Sequence, residues 1–331
     1  MNCGLHQPDN RGSAASAGRS GFTLVELLVV ASLMAMMFGL VLAGSRPSDS
    51  SEIRRSAQQL ASVLLAAQSR GIGNPSGAAV LLESQGTSST MVFNAEVPPP
   101  ILGTIWPTPV FPPTTNPAVS TASIGIAAGG ADLTRGFRIQ FIGEDPRIPP
   151  SAWFGFQPPS PTVCTVRMRD EDGQTPFNTV WPSAPNGGLK VRIASYPAEG
   201  DLALPFPKSV AVELRYSGTG DDPATTWGGL ANKGDIGLSF DSVGAVDVLS
   251  QGLGAASPTS RQPVEPVFLL VATRKDITAD AALASERSLW VVVQPLTGRV
   301  TVSANVPQQG KTATDLRAAR ALARAAAAIG R

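Results

Sequence analysis

The chain has a single histidine, His6, and two cysteines, Cys3 and Cys164. Beyond residue 6 there is no imidazole for a Ser-His-Asp or Cys-His site, and most zinc sites are excluded with it. Charge is also scarce. Only 15% of residues are Asp, Glu, Lys or Arg, and the formal net charge is +1, so no strong electrostatic partner is implied globally. Proline (29) and glycine (33) are plentiful instead, which suggests strands, turns and long loops. Carboxylate or lysine chemistry has no marker, and the chain reads as a non-enzyme without metal or cofactor.

One feature near the N-terminus stands out. A polar, weakly basic stretch stops at Gly21, and an apolar run begins at Phe22 and continues to Ala43. As a helix this run rises roughly 33 Å, the scale of a bilayer core of roughly 30 Å. It predicts a transmembrane helix over 22–44. Glu26 interrupts it. A carboxylate inside such a helix costs roughly 2.5–3.5 kcal/mol on insertion scales, so it demands a function and a partner. An ordinary signal peptide fits poorly, because secretory apolar cores run about 7–15 residues without acids. The flanks do not decide orientation. Arg11 and Arg19 against Asp9, and Arg46, Arg54 and Arg55 against Asp49 and Glu52, each leave one net positive charge.

The string Gly21-Phe22-Thr23-Leu24-Val25-Glu26 closely resembles the class III signal of type IV prepilins and type II secretion pseudopilins. The resemblance implies cleavage after Gly21 by a prepilin peptidase, N-methylation of Phe22, and an assembly role for Glu26, which would neutralise the new amine of a neighbouring subunit. It also implies a leader over 1–21 on the cytoplasmic side. Loss of that leader would remove His6 and Cys3, leaving Cys164 unable to form an internal disulfide. The implied protein is a single-pass inner-membrane protein with a periplasmic C-terminal domain, assembled into a periplasmic pseudopilus. Its implied partners are other pseudopilin or pilin subunits, the peptidase and N-methyltransferase, the inner-membrane assembly platform and the membrane itself.

Gly44-Ser45-Arg46-Pro47 interrupts the first helix. Ile53, Ala57, Leu60, Leu64 and Ala67 then recur at helical spacing, predicting an amphipathic helix over 45–73 that continues the first. The expected fold is therefore α+β and pilin-like, with one long N-terminal helix packed on an antiparallel β-sheet. Strands are read at 136–142, 163–169, 189–196, 209–216, 235–241, 244–249, 266–273, 288–294 and 299–305. They belong to a β-rich region over 74–310. Proline-crowded segments at 97–117 and 146–161 are expected as loops, since proline at that density prevents a regular ladder.

Three further strings are similar to the GspH/FimT branch of pseudopilins. They are Gln59–Arg70 leading into Ala78–Leu82, Ile236–Gly244, and Leu289–Val300. The resemblance implies a minor pseudopilin supporting protein secretion across the outer membrane. The alternative is a minor type IV pilin involved in pilus assembly or DNA uptake. DNA-uptake relatives carry Gly-Arg-x-Arg near the last strands, whereas this chain has Gly298-Arg299-Val300-Thr301, so nucleic acid is not expected as a partner. Residues 311–331 read as a basic, Ala/Arg-rich tail, partly frayed, with Arg317, Arg320 and Arg324 on one helix face. Asp170-Glu171-Asp172-Gly173 and Asp221-Asp222 lack the spaced ligands of a calcium loop and read as solvated turns.

Overall fold

In the computed structural model, the residues spaced for one helix face lie in α2 (Asp49–Gly71), and all five are buried. Ile53, Ala57, Leu60 and Ala67 are fully enclosed and Leu64 nearly so. The structure describes residues 23–44, 49–107, 121–127, 137–142, 153–160, 163–167 and 189–329, with breaks at 221, 223–224, 226 and 254–257. Two units divide at Pro47/Ser48. The first contributes helix α1 (Leu24–Gly44), whose side chains are described as far as Phe38.

The second unit is mostly antiparallel β. Its main sheet takes in β1 (Ala78–Gln85), β2 (Ser88–Glu96), β9 (Ala198–Pro205), β10 (Val210–Thr219), β11 (Asp235–Phe240), β12 (Val246–Leu253), β13 (Thr259–Arg261), β14 (Val267–Thr273), β15 (Leu289–Val293) and β16 (Val300–Ala304). The order is β13-β12-β11-β1-β2-β10-β14-β15-β16, with β9 paired to β2 as the tenth strand. Six strands close into a barrel in the order β3-β4-β7-β6-β5-β8. These are β3 (Ile101–Pro107), β4 (Thr121–Ala127), β5 (Phe137–Phe141), β6 (Trp153–Ser160), β7 (Val163–Arg167) and β8 (Leu189–Ser195).

The sheet is covered on both faces, and this explains the unbroken apolar runs of its central strands. Val267, Leu269, Val271, Val291 and Val293 join α2 in one core. The alternate residues Phe268, Leu270, Ala272, Trp290 and Val292 form a second core with Leu316, Ala319 and Ala323 of α4 (Ala313–Ile329) and Ile277 of α3 (Arg274–Thr278). Each fully buried Leu or Ile contributes about 1.5–3 kcal/mol from apolar burial alone.

The expected α+β pilin-like fold, with one long N-terminal helix, is corrected by this architecture. The described N-terminal helices are two, α1 (Leu24–Gly44) and α2 (Asp49–Gly71), in separate units. What remains is a mostly antiparallel β structure with comparatively short helices, of which α2 and α4 cover the main sheet.

The single-pass inner-membrane location with a periplasmic domain is corrected as well. Among the described residues no helix is long and apolar enough to cross a membrane. Helix α2 is long but has a polar face.

The proline-rich segments also differ from expectation. Strand β3 (Ile101–Pro107) lies within 97–117, and β6 (Trp153–Ser160) within 146–161. In β3 the proline is the terminal residue, Pro107. In β6, Pro158 and Pro159 coincide with a register shift between Gln157 and Ser160. Strand ends and irregularities are where a sheet tolerates a missing donor.

Candidate functional site

Helix α1 is apolar around its whole circumference. Leu24, Val25, Leu27, Leu28, Leu33, Met34, Met36, Met37 and Phe38 all have more than half their surface exposed. A helix apolar on every side is normally buried against partners. Its one described charge, Glu26, lies in the first turn. Gly21 and Phe22 lie outside the described residues.

The local chemistry around Glu26 was not anticipated from sequence. Thr23 Oγ1 accepts a hydrogen bond from the Glu26 backbone N–H at 3.3 Å, and Thr23 O accepts from the same N–H at 3.0 Å. Thr23 thus caps the helix, with an acid three residues on, the sequence signature of a capping box. Two other helices begin alike. Thr273 Oγ1 accepts from Asp276 N at 3.0 Å, and Thr312 Oγ1 from Asp315 N at 3.3 Å. In α4 the acid reciprocates, with Thr312 N donating to Asp315 Oδ2 at 3.0 Å. Those backbone and hydroxyl bonds hold the Asp315 carboxyl below its ordinary pKa. Glu26 therefore occupies a position that favours helix initiation and also places a carboxylate at the positive end of the helix dipole.

The C-terminal arginines do not form one surface. Arg317 and Arg324 are exposed, but Arg320 is 1% exposed. Its guanidinium donates to the carbonyl oxygens of Gly220, Tyr216 and Gly228, the last two at 2.7 Å. It also lies 5.3 Å from the Phe268 ring centroid. The segment read as a frayed tail is a docked helix, held by the arginine that was read as part of its basic face.

Beside it lies an open cleft lined by Arg215, Tyr216, Lys233, Asp280 and Lys311. Arg215 forks onto buried Glu213 with two 2.9 Å bonds and reaches Asp280 at 2.9 Å. Lys311 meets the other Asp280 oxygen at 2.5 Å, and the Tyr216 hydroxyl donates to Asp280 at 3.0 Å. Burial pushes the Tyr216 phenol up to about 12, helped by that hydrogen bond. Burial lowers the pKa of Lys233. The positive and negative groups largely neutralise one another, which suits a structural clamp between β10, α3 and the start of α4.

Among the described residues no group of His, Cys, Asp or Glu could hold a metal ion. Asp170-Glu171-Asp172-Gly173, Asp221 and the Cys164 side chain lie outside the described residues. Gly298 marks a turn as read, with φ of 61°, and packs against Gly244 under the Gln68 side chain. Gln68 Nε2 donates to Gly244 O at 3.1 Å and to Thr297 O at 2.8 Å, so α2 ties together the turn after β11 and the turn after β15. No protein-family model, curated protein or solved structure matches this chain.

Proposed function

We propose that the chain is a structural, non-enzymatic subunit of a pilus-like filament, a minor pseudopilin of the type II secretion kind supporting protein secretion across the outer membrane. In this reading a prepilin peptidase cuts after Gly21 and the terminus at Phe22 is methylated. Helix α1 then packs among the corresponding helices of neighbouring subunits, with Glu26 as the charge that sets their stagger.

The observation that carries this reading is the uncovered apolar surface of α1. Leu24 is 81% exposed, Val25 70% and Met37 68%, on three different sides of one helix. One partner on one face would leave the others wet, so several neighbours are required, as in the core of a helical filament. The β-rich unit has hydrophobic cores of its own.

Photo-crosslinking from α1 tests the reading. A photoreactive residue at Val25 or at Met37, about 120° apart around the helix and introduced one at a time into the full chain expressed with its companion subunits, is expected to capture other pilin-like subunits from both positions. Capture from neither position, while the protein is processed and folded, contradicts it.

A further inference from the structure

The two edges of the main sheet are built differently. At one end β13 is three residues long, carries Arg261 and is flanked by Pro258 and Pro263, the usual devices that block further pairing. At the other end β16 reads Val300-Thr301-Val302-Ser303-Ala304, with no charge, proline or glycine. Asn305 N donates to Ser288 O at 3.1 Å and Gln294 N to Arg299 O at 2.9 Å. In an antiparallel ladder the bonded positions alternate. Odd-numbered residues therefore face β15, and Val300, Val302 and Ala304 turn their N–H and C=O groups outward. Among the described residues these groups have no hydrogen-bond partner. The Val302 side chain is 38% exposed, and Ser303 Oγ, in a residue 7% exposed, is buried without a partner among the described residues.

We propose that β16 is an edge-to-edge interface with a second copy of this chain, antiparallel about a two-fold axis at Val302. This register is the one that uses every outward group. Val302 faces Val302, and Val300 of each copy faces Ala304 of the other, each facing pair exchanging two hydrogen bonds. A slip of two residues loses a facing pair. Thr301 of one copy stands opposite Ser303 of the other, a small polar pair that sets neither like charges nor bulk against each other. Arg299 falls opposite Asn305, so no like charges meet. The sequence of the edge is thus complementary to itself, which favours a second copy over an unrelated extended peptide. A five-residue ladder covers less than the roughly 800 Å² per partner of a standard interface, so the pairing is concentration-dependent.

Cysteine crosslinking of the full chain in detergent, with Cys3→Ser and Cys164→Ser, tests this independently of what α1 contacts. Facing Cα atoms in this register stand about 5.5 Å apart, within disulfide range. Val302→Cys is expected to give a disulfide-linked dimer on mild oxidation. Val300→Cys alone is expected to stay monomeric, yet to crosslink when mixed with Ala304→Cys. Val302→Pro added to that mixture is expected to abolish the crosslink with the thermal transition retained, since an outward N–H can be lost from an edge. Absence of both the Val302 dimer and the mixed Val300–Ala304 dimer in folded protein overturns the proposal. So does crosslinking of Val300 to itself as readily as Val302, which would report association through α1 alone.

Discussion

Arg320 Nη2 donates to the carbonyl oxygen of Tyr216 at 2.7 Å, across 104 residues of sequence. The bond fixes α4 to β10, and its neighbours extend the hold to Gly220 and Gly228. Arg320→Ala leaves these carbonyls short of a charged donor inside the protein. The expected cost is about 2–4 kcal/mol, given roughly 1.5–3 for a hydrogen bond to a charged group. Arg320→Lys recovers only part of it, because one ammonium cannot reproduce the fork. Arg317→Ala and Arg324→Ala, at exposed positions, are expected within about 0.5 kcal/mol of the parent. Urea unfolding of the four variants checks the order.

The Asp280 cluster predicts two pH limits. Burial alone would raise the Asp280 pKa, but the bonds from Lys311 and Tyr216 and the charge of Arg215 outweigh it and hold the carboxyl below its ordinary value. Its contribution to stability is whole above the unfolded value of about 3.9 and is lost as pH falls through the lower folded value. Tyr216 acts at the other end. Its pKa is raised to about 12 in the folded protein, so its contribution is whole below the unfolded value of about 10 and is lost as pH rises toward 12. In Asp280→Asn the phenol is expected to ionise at lower pH than in the parent, though still above the free value because burial persists. Phenolate absorbance, with Tyr196→Phe to leave one tyrosine, reads the change.

Helix α2 should be the most sensitive element of the main core. Leu60 is fully enclosed between α2 and the sheet, and Leu60→Ala is expected to cost about 2–5 kcal/mol by lost burial and cavity formation. Leu65, on the same helix, is 42% exposed, and Leu65→Ala should cost under about 1 kcal/mol. A difference of that size in thermal or denaturant unfolding confirms which face docks.

The double position of Glu26 separates into distinct variants. Glu26→Gln keeps a side chain compatible with a capping box but removes the charge. Thr23→Ala keeps the charge but loses the cap, at a cost of about 1 kcal/mol to the helix. If the charge sets the stagger of subunits, Glu26→Gln should be processed yet fail to co-isolate with its companions, while Thr23→Ala co-isolates. The reverse pattern would assign Glu26 to helix capping alone.

The spacing Ile53, Ala57, Leu60, Leu64, Ala67 was legible because one face of a helix has a period that sequence displays directly. Strands β10, β11, β14, β15 and β16 were legible for a similar reason, being runs of β-branched and aliphatic residues between turns such as Thr297-Gly298. Strands β3 and β6 were not, because a proline at a strand end or at a register shift looks in sequence like a proline that forbids pairing. Arg320 was misread because an arginine in an alanine-rich amphipathic stretch ordinarily points to water. Only the topology, which brings the Tyr216, Gly220 and Gly228 carbonyls to one point, shows what it binds. For Glu26 the Thr-x-x-Glu spacing was present in the sequence, but the rarity of a carboxylate in an apolar run drew the reading toward assembly and away from capping.

Mass determination of the N-terminal peptide of the protein isolated from cells with an active prepilin peptidase tests the central claim most directly. The account predicts a chain beginning at Phe22 and carrying one methyl group on its amine, with the leader retained when Gly21 is replaced by a bulky residue. An unmethylated chain beginning at Gly44, or one retaining residues 1–21 in the presence of the active peptidase, would contradict it.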